Sequence, residues 1–207
     1  HNVDVINTLG VRVGDVVVVE KAGKIIPHVV RVETYLRDPD EPRPPYVFPT
    51  KCPSCGAELR RDPDGVFIRC PDPECPAQFR ERLAFFGSKS AMDIDGIGDS
   101  VVEKLTAPSL VGLLEEPRVL VKSFADLYRL KTEDLLNLEG FQKRSAEKLI
   151  KAIAASKTAG PARLLAALSI QGIGVQTAKA IVNKYRGFKG IEAVERPEDF
   201  AVVDGIG

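Results

Sequence analysis

Long apolar runs are missing from this sequence of 207 residues. No stretch approaches the ~20 consecutive apolar residues that cross a bilayer, so a membrane-spanning helix is excluded. No basic segment is followed by a short apolar one, so nothing suggests secretion. The sequence also lacks an initiator Met and stops at Gly207, and we expect both ends to be cut. The length suffices for two or three small domains.

Net charge is missing as well, because 29 Lys and Arg residues balance 29 Asp and Glu residues. A zero total argues superficially against a polyanionic partner, but the charges are unevenly distributed. Residues 140–190 hold ten basic residues against the single acid Glu147, a net charge of +9, whereas residues 93–139 carry −5. A local basic patch is what attracts nucleic acid. The alternative is a solvated lysine face with no partner.

Cysteine is scarce but tightly grouped: the only four are Cys52, Cys55, Cys70 and Cys75. Their spacing is C-x2-C, fourteen residues, then C-x4-C, which supplies two pairs of soft ligands for one tetrahedral zinc ion. Four thiolates leave no open coordination position, so this would be a structural zinc site. Two disulfides are the alternative, but they need an oxidising compartment. The only histidines, His1 and His28, are not needed as ligands.

A glycine turn followed by a helix-forming stretch occurs four times after the cysteines. The first glycines of the copies are 44, 32 and 33 residues apart. Each complete copy has an apolar residue two before the first glycine and further apolar or small residues at fixed helix positions, which makes it an internal repeat. The copies read "IDGIGDSVVEKL" from Ile94, "LEGFQKRSAEKL" from Leu138, "IQGIGVQTAKAI" from Ile170 and "VDGIG" from Val203.

This arrangement is typical of phosphate binding. Glycine permits a tight turn and a close approach of a ligand to the backbone. The helix that follows offers unpaired N–H groups and the positive end of its dipole. The predicted binding positions are Gly96, Gly98, Gly140, Gln142, Lys143, Arg144, Gly172, Ile173, Gly174, Val175, Thr177, Lys179, Gly205 and Gly207. The alternative is a plain helical hairpin in which glycine serves the turn alone.

The repeat resembles the helix-hairpin-helix motif, which binds DNA phosphates without sequence specificity and usually works in pairs. The second copy departs from that motif, since Gln142 replaces the second glycine. The first copy carries Asp95 and Asp99 at its turn. Asp93 and Asp95 could also be a nuclease metal pair, but Asp suits turns and helix ends, and we prefer those roles.

The amino-terminal segment is β-branched and broken by glycine, which predicts strands over residues 16–19 and 25–32. It is too short for a complete five-stranded barrel. We therefore predict a multidomain α+β protein. Its segments are a partial β-barrel over 1–36, a Pro-rich linker over 37–50, a zinc finger over 51–80 and a helical helix-hairpin-helix domain over 81–207.

The order of these segments, with "GVRVGDVVVVEKAGKIIPHVVRV" and "ERLAFFGSKSAMDIDGIG", resembles bacterial NAD-dependent DNA ligase along the whole chain. The resemblance implies that the barrel is the C-terminal part of an OB-fold. It also implies a role in DNA contact for Lys21, which stands where that family usually has arginine. For the whole enzyme it implies NAD+ and Mg2+, a cytoplasmic, nucleoid-associated location, and sealing of nicked duplex DNA in replication and repair.

The Lys-x-Asp-Gly nucleophile of such ligases has no counterpart here, since "DIDG" and "VVDG" lack the lysine. The adenylation and BRCT domains of the family are also absent. We therefore expect a fragment that binds zinc and the DNA backbone, binds neither NAD+ nor Mg2+, and is inactive alone. Two other hypotheses stay open: a stand-alone DNA-repair or recombination accessory protein, and a protein-interaction scaffold.

Overall fold

The computed structural model describes residues 3–23, 26–41, 43–62, 65, 67–108, 117–203 and 205–206. The chain forms two compact units, His1–Cys75 and Pro76–Gly207. Among the described helices, none has the length and apolar character needed to cross a membrane.

A β-hairpin forms the first part of unit one. Strands β1 (Val17–Ala22) and β2 (Ile26–Val32) are antiparallel and pair along their length, with a bulge between Val18 and Val19. Their β-branched composition explains the extended conformation. The two predicted strands are confirmed, although Lys24 and Ile25 lie outside the described residues. Helix α1 (Val3–Leu9), which the sequence analysis did not predict, precedes them.

A buried carboxylate fixes the segment that follows the hairpin. The side chain of Asp15 is only 1% exposed, and Arg37 lies 2.7 Å from it. Arg43 lies 3.8 Å from the same carboxylate and donates to the carbonyl oxygen of Gly14 at 2.6 Å. Arg37 and Arg43, which composition alone places at the start of a linker, are therefore anchored on the residues before β1.

A second, shorter hairpin separates the two cysteine pairs. Strand β3 (Arg60–Arg61) pairs antiparallel with β4 (Ile68–Arg69). The connecting turn is closed by the N–H of Asp62, which donates to the Phe67 carbonyl at 2.9 Å. The hairpin thus lies within the fourteen residues between the two cysteine pairs, with Pro63, Asp64 and Val66 outside the described residues.

Unit two is helical in its described part. Its helices are α2 (Pro76–Gly87), α3 (Asp99–Thr106), α4 (Phe124–Leu127), α5 (Thr132–Leu136), α6 (Lys143–Ser156), α7 (Pro161–Ala167), α8 (Val175–Tyr185) and α9 (Phe188–Glu192). A 3-10 helix over Pro197–Val202 follows.

Two apolar clusters hold these helices together. The first gathers α2 to α6 around side chains such as Leu83, Phe86 and Leu105, which are 0% exposed. The second packs α7 and α8 against the last residues, with Ile181 at 2% and Val203 at 4% exposure. Each cluster encloses two of the four repeat copies, because most of the fixed apolar positions face inward, although Ile170 of the third copy is 46% exposed.

Candidate metal centre and nucleic-acid interface

The first cysteine pair is held by a tight turn. The N–H of Cys52 donates to the carbonyl of Ala57 at 2.8 Å, and the N–H of Gly56 donates to the carbonyl of Cys52 at 2.9 Å. Gly56 has φ +76°, a left-handed conformation that favours glycine. The turn points the backbone N–H groups of Ser54 and Cys55 at the Cys52 sulfur. Local backbone geometry therefore orients this pair of ligands.

The second pair meets the first in space. The ligand atoms of Cys52, Cys55, Cys70 and Cys75 all lie within 4.8 Å of one another. The Sγ atoms of Cys55 and Cys70 are 3.5 Å apart, and those of Cys52 and Cys75 are 3.8 Å apart. Four sulfurs about 2.3 Å from a tetrahedral ion stand about 3.8 Å from each other, so the cluster fits zinc. A disulfide needs about 2.05 Å, and all four cysteines are free.

Electrostatics in the cluster favour a bound cation. Backbone N–H groups of Cys55 and Ser54 lower the pKa of the Cys52 thiol to about 7. At Cys55 the N–H of Ala57 acts in the same direction, but burial and the neighbouring sulfurs outweigh it and raise the pKa to about 12. Burial also raises the pKa of Cys70. Four adjacent thiolates repel each other, and a divalent cation at their centre removes that repulsion.

The four glycine turns share one backbone geometry. The first glycines, Gly96, Gly140, Gly172 and Gly205, have φ between +80° and +97°. In each turn the N–H of the next residue donates to the carbonyl two residues before the glycine, at 3.0 to 3.2 Å. The bonded pairs are Ile97 to Ile94, Phe141 to Leu138, Ile173 to Ile170 and Ile206 to Val203. The repeat read from the sequence is therefore one repeated structure, although Asp204 and Gly207 lie outside the described residues.

The second position of each complete turn has a different character. Gly98, Gln142 and Gly174 are helix N-caps with φ of −117°, −117° and −86°, values that any residue adopts. A Cβ added to Gly98 or Gly174 would meet no atom within 4 Å. Neither the backbone nor the packing requires glycine at these two positions. Their lack of a side chain leaves the start of the helix open to a ligand.

The second copy differs at this same point. The N–H of Gln142 donates to the hydroxyl oxygen of Ser145 at 3.0 Å, so this amide is already partly satisfied. Among the described residues no group accepts from the N–H of Gly98 or Gly174. The third copy thus has the open amide of the first without the acidic residues Asp95 and Asp99.

The structure divides the basic residues of the +9 segment into free and engaged ones. Lys143, Arg144 and Lys179 are exposed on α6 and α8, and within the described ranges they have no hydrogen-bond or ion-pair partner. By contrast, Arg163 donates to the carbonyl of Lys89 at 2.7 Å. These three cations lie on the helices that follow the second and third turns.

One acidic residue of the first turn is engaged as well. Asp95 forms an ion pair with Lys148 at 2.8 Å. Asp93 has φ +55° in the loop before Gly96. These are turn and surface roles, and the only cluster of possible metal ligands found in the described part of the chain is the four-cysteine one. Sequence reasoning did not find the contacts of Lys148, because position along a helix does not show which neighbouring turn a side chain reaches.

The remaining predicted residues lie at varied depths. Val175 is 50% exposed at the first residue of α8, and Ile173 and Thr177 are half-buried. Gly205 is exposed, with φ +86°. Lys21 stands on β1 opposite Pro27 and is exposed. Gly207 lies outside the described residues.

Comparison with known proteins agrees with this organisation. Residues 1–41 match the family described as NAD-dependent DNA ligase OB-fold domain, and residues 51–77 match the NAD-dependent DNA ligase C4 zinc finger domain. A DNA ligase of Rhodopirellula baltica is 44% identical over the whole chain, and one of Natranaerobius thermophilus is 39% identical. The chain spans 30% and 29% of the lengths of these relatives. The resemblance read from the sequence is confirmed: the chain is similar along its whole length to bacterial DNA ligases, and two of its segments match the OB-fold and C4 zinc-finger domains of the NAD-dependent family.

Proposed function

We propose that this chain is the part of an NAD-dependent DNA ligase that grips the backbone of duplex DNA around a nick. The observation that carries the proposal is the open N-cap of the third turn, Gly174, in a position where the fold itself does not need glycine. A phosphate oxygen can approach the amides of Gly174 and Val175 there, at the positive end of α8. We assign the four turns to helix-hairpin-helix motifs on this basis.

Exposed cations extend this surface beyond one turn. Lys179 lies on α8, and Lys143 and Arg144 open α6 after the second turn. Contacts of this kind read phosphate and sugar rather than base edges, so binding would be independent of sequence. The third turn would bind most strongly, since the first has acidic neighbours and the amide of the second is partly satisfied by Ser145.

The zinc finger has a structural part in this proposal. Cys52, Cys55, Cys70 and Cys75 would hold Zn2+, and the bound ion supplies folding free energy to a module with two strands of two residues each. No fifth ligand position is open for chemistry, so the module would stabilise and connect rather than catalyse.

The ligation chemistry itself would reside in other segments of a longer polypeptide. In such ligases a lysine attacks NAD+, AMP passes to the 5′ phosphate, and the 3′ hydroxyl displaces AMP. This sequence has no Lys-x-Asp-Gly stretch that could provide the lysine. Its contribution would be to hold the nicked duplex in position while the adenylation domain reacts. We expect the isolated chain to be inactive in nick sealing.

Fluorescence anisotropy with nicked and intact duplexes of one sequence, titrated with salt, tests the proposal. We expect a log–log slope of several units, at about 0.9 per phosphate contacted. A variant with Lys143, Arg144 and Lys179 replaced by alanine should lose about three such contacts and lower the slope by about 2.7. Absence of binding at low salt would refute the proposal and favour a protein-interaction scaffold.

A further inference from the structure

The first two turns are joined by a reciprocal pair of lysine contacts. The Nζ of Lys148 on α6 lies 2.8 Å from the carboxylate of Asp95, the residue before Gly96. The Nζ of Lys104 on α3 donates to the carbonyl of Glu139, the residue before Gly140, also at 2.8 Å. Each lysine is the eighth residue after the first glycine of its own copy. Equivalent positions of the two copies therefore reach equivalent positions of the other copy's turn.

Packing around the first glycines is reciprocal in the same way. A Cβ added to Gly96 would lie 3.6 Å from Cδ1 of Leu149, the residue after Lys148. A Cβ added to Gly140 would lie 3.1 Å from Nζ of Lys104. The helix of each copy thus packs against the first glycine of the other. Both contacts connect parts of unit two, so they belong to one compact body.

The third copy lacks the lysine that makes these reciprocal contacts. Its eighth residue after the first glycine is Ala180, which has no cationic group. A Cβ on Gly172 would meet no atom within 4 Å. The crossed lysines are therefore a property of copies one and two, and not a general consequence of the repeat.

The crossed contacts also change the charge at the first turn. Asp95 stands beside the glycine at which a phosphate would bind, and an unpaired carboxylate there would repel it. Lys148 neutralises that carboxylate, while Lys143 and Arg144 on the same helix stay unpaired among the described residues. On α6, Lys148 therefore contacts the first turn, whereas Lys143 and Arg144 face solvent.

We propose that Lys104 and Lys148 are positioning residues that hold the first two turns in fixed register, so that a duplex meets them as one preassembled surface. The consequence for DNA rests on the proposed function. The stabilisation of each turn by the lysine of the other copy does not, and it can be measured on the free protein.

Amide hydrogen exchange on the free chain tests the link. Lys148→Ala should raise exchange at the Ile97 amide in the first turn, and Lys104→Ala should raise it at the Phe141 amide in the second. Lys148→Arg should restore protection, because it keeps the cation facing Asp95. Lys151→Ala, an exposed lysine of α6 with no partner in the described part of the chain, is the matched control and should change neither amide. Exchange that rises only in the variant's own copy, or in neither, would overturn the proposal.

Duplex binding then separates positioning from direct phosphate contact. The double variant Lys104→Ala, Lys148→Ala should bind nicked duplex about two- to twenty-fivefold more weakly, since exposed pairs of this kind contribute about 1.4- to fivefold each. The log–log salt slope should change by less than about 0.9 in total, because no phosphate ligand is removed. A slope lower by about 0.9 per lysine would make both residues phosphate ligands and would refute a positioning role. If the unaltered chain does not bind DNA, the proposed function fails. The hydrogen exchange of the Ile97 and Phe141 amides still tests whether the two lysines hold the turns together.

Discussion

Arg37 donates two hydrogen bonds to the carboxylate of Asp15: Nε lies 2.9 Å from Oδ1, and Nη2 lies 2.7 Å from Oδ2. The fork of a guanidinium matches a carboxylate in this geometry, which lysine cannot reproduce. The N–H of Arg12 donates to the same carboxylate at 2.8 Å. A single buried acid thus joins the segment before β1 to the segment after β2.

This network predicts a stability difference that depends on pH. The Arg37 hydrogen bonds lower the pKa of Asp15 to about 2, whereas an unfolded Asp titrates near about 3.9. Stabilisation by the ionised form is therefore complete above about pH 4 and is lost as the pH falls through about 2. Asp15→Asn should melt earlier than the unaltered chain at pH 6, and the gap in Tm should close on acidification. A constant gap down to pH 2 would contradict the ion-pair account.

Removal of one zinc ligand should unfold the finger. Cys70→Ser replaces a thiolate by a weak ligand, so we expect loss of bound zinc and of amide protection around β3 and β4. Arg60→Gln, an exposed change on the same hairpin, is the control and should keep the metal. Metal content by mass spectrometry and hydrogen exchange report both effects. Full zinc retention in Cys70→Ser would disprove the four-cysteine assignment.

Substitutions at the two glycines of the third turn should lower stability by different amounts. Gly172 has φ +80°, so Gly172→Ala should destabilise the fold by about 1 kcal/mol. Gly174 has φ −86° and open space at its Cβ position, so Gly174→Leu should cost only the free energy of a poorer N-cap, about 0.5 kcal/mol.

Duplex binding should separate the same two variants. Gly174→Leu should weaken binding about equally across sequences, because the added side chain occupies the space that a phosphate needs. Anisotropy with three unrelated duplexes provides the measurement. Unchanged affinity, or a loss confined to one sequence, would contradict the phosphate-binding assignment.

Gly190 should resist a substitution that normally stabilises helices. Gly-to-Ala inside a helix usually adds about 1 kcal/mol of stability. A Cβ on Gly190 would lie 1.7 Å from the carbonyl oxygen of Tyr185, so α9 would have to move away from the end of α8. We expect Gly190→Ala to reduce the free energy of unfolding by about 1–3 kcal/mol, and therefore to lower Tm. Gly98→Ala, with no atom near its Cβ position, is the control; equal melting of both variants would refute the close packing.

Much of the site is determined by the sequence alone, because its cause is local. The spacing of Cys52, Cys55, Cys70 and Cys75 predicts one metal cluster, since two closely spaced pairs of soft ligands suit one tetrahedral ion. The repeated Gly96, Gly140, Gly172 and Gly205 predict one turn geometry, since positive φ is readily available to glycine. The strands predicted over 16–19 and 25–32 follow from β-branched composition, and the structure extends the first of them to Ala22.

The tertiary structure decided what depends on partners far apart in the chain. Composition presents Arg37 as part of a linker, but the buried Asp15 anchors it, and ion pairing between residues 22 positions apart has no sequence signature. Lys148 and Lys179 contribute equally to the +9 charge of residues 140–190. In the folded chain Lys148 forms an ion pair with Asp95, whereas Lys179 has no partner among the described residues. Charge and turn chemistry are properties of residues. Which cation remains available for a ligand is a property of packing, because it depends on which neighbours the folded chain brings within a few ångströms.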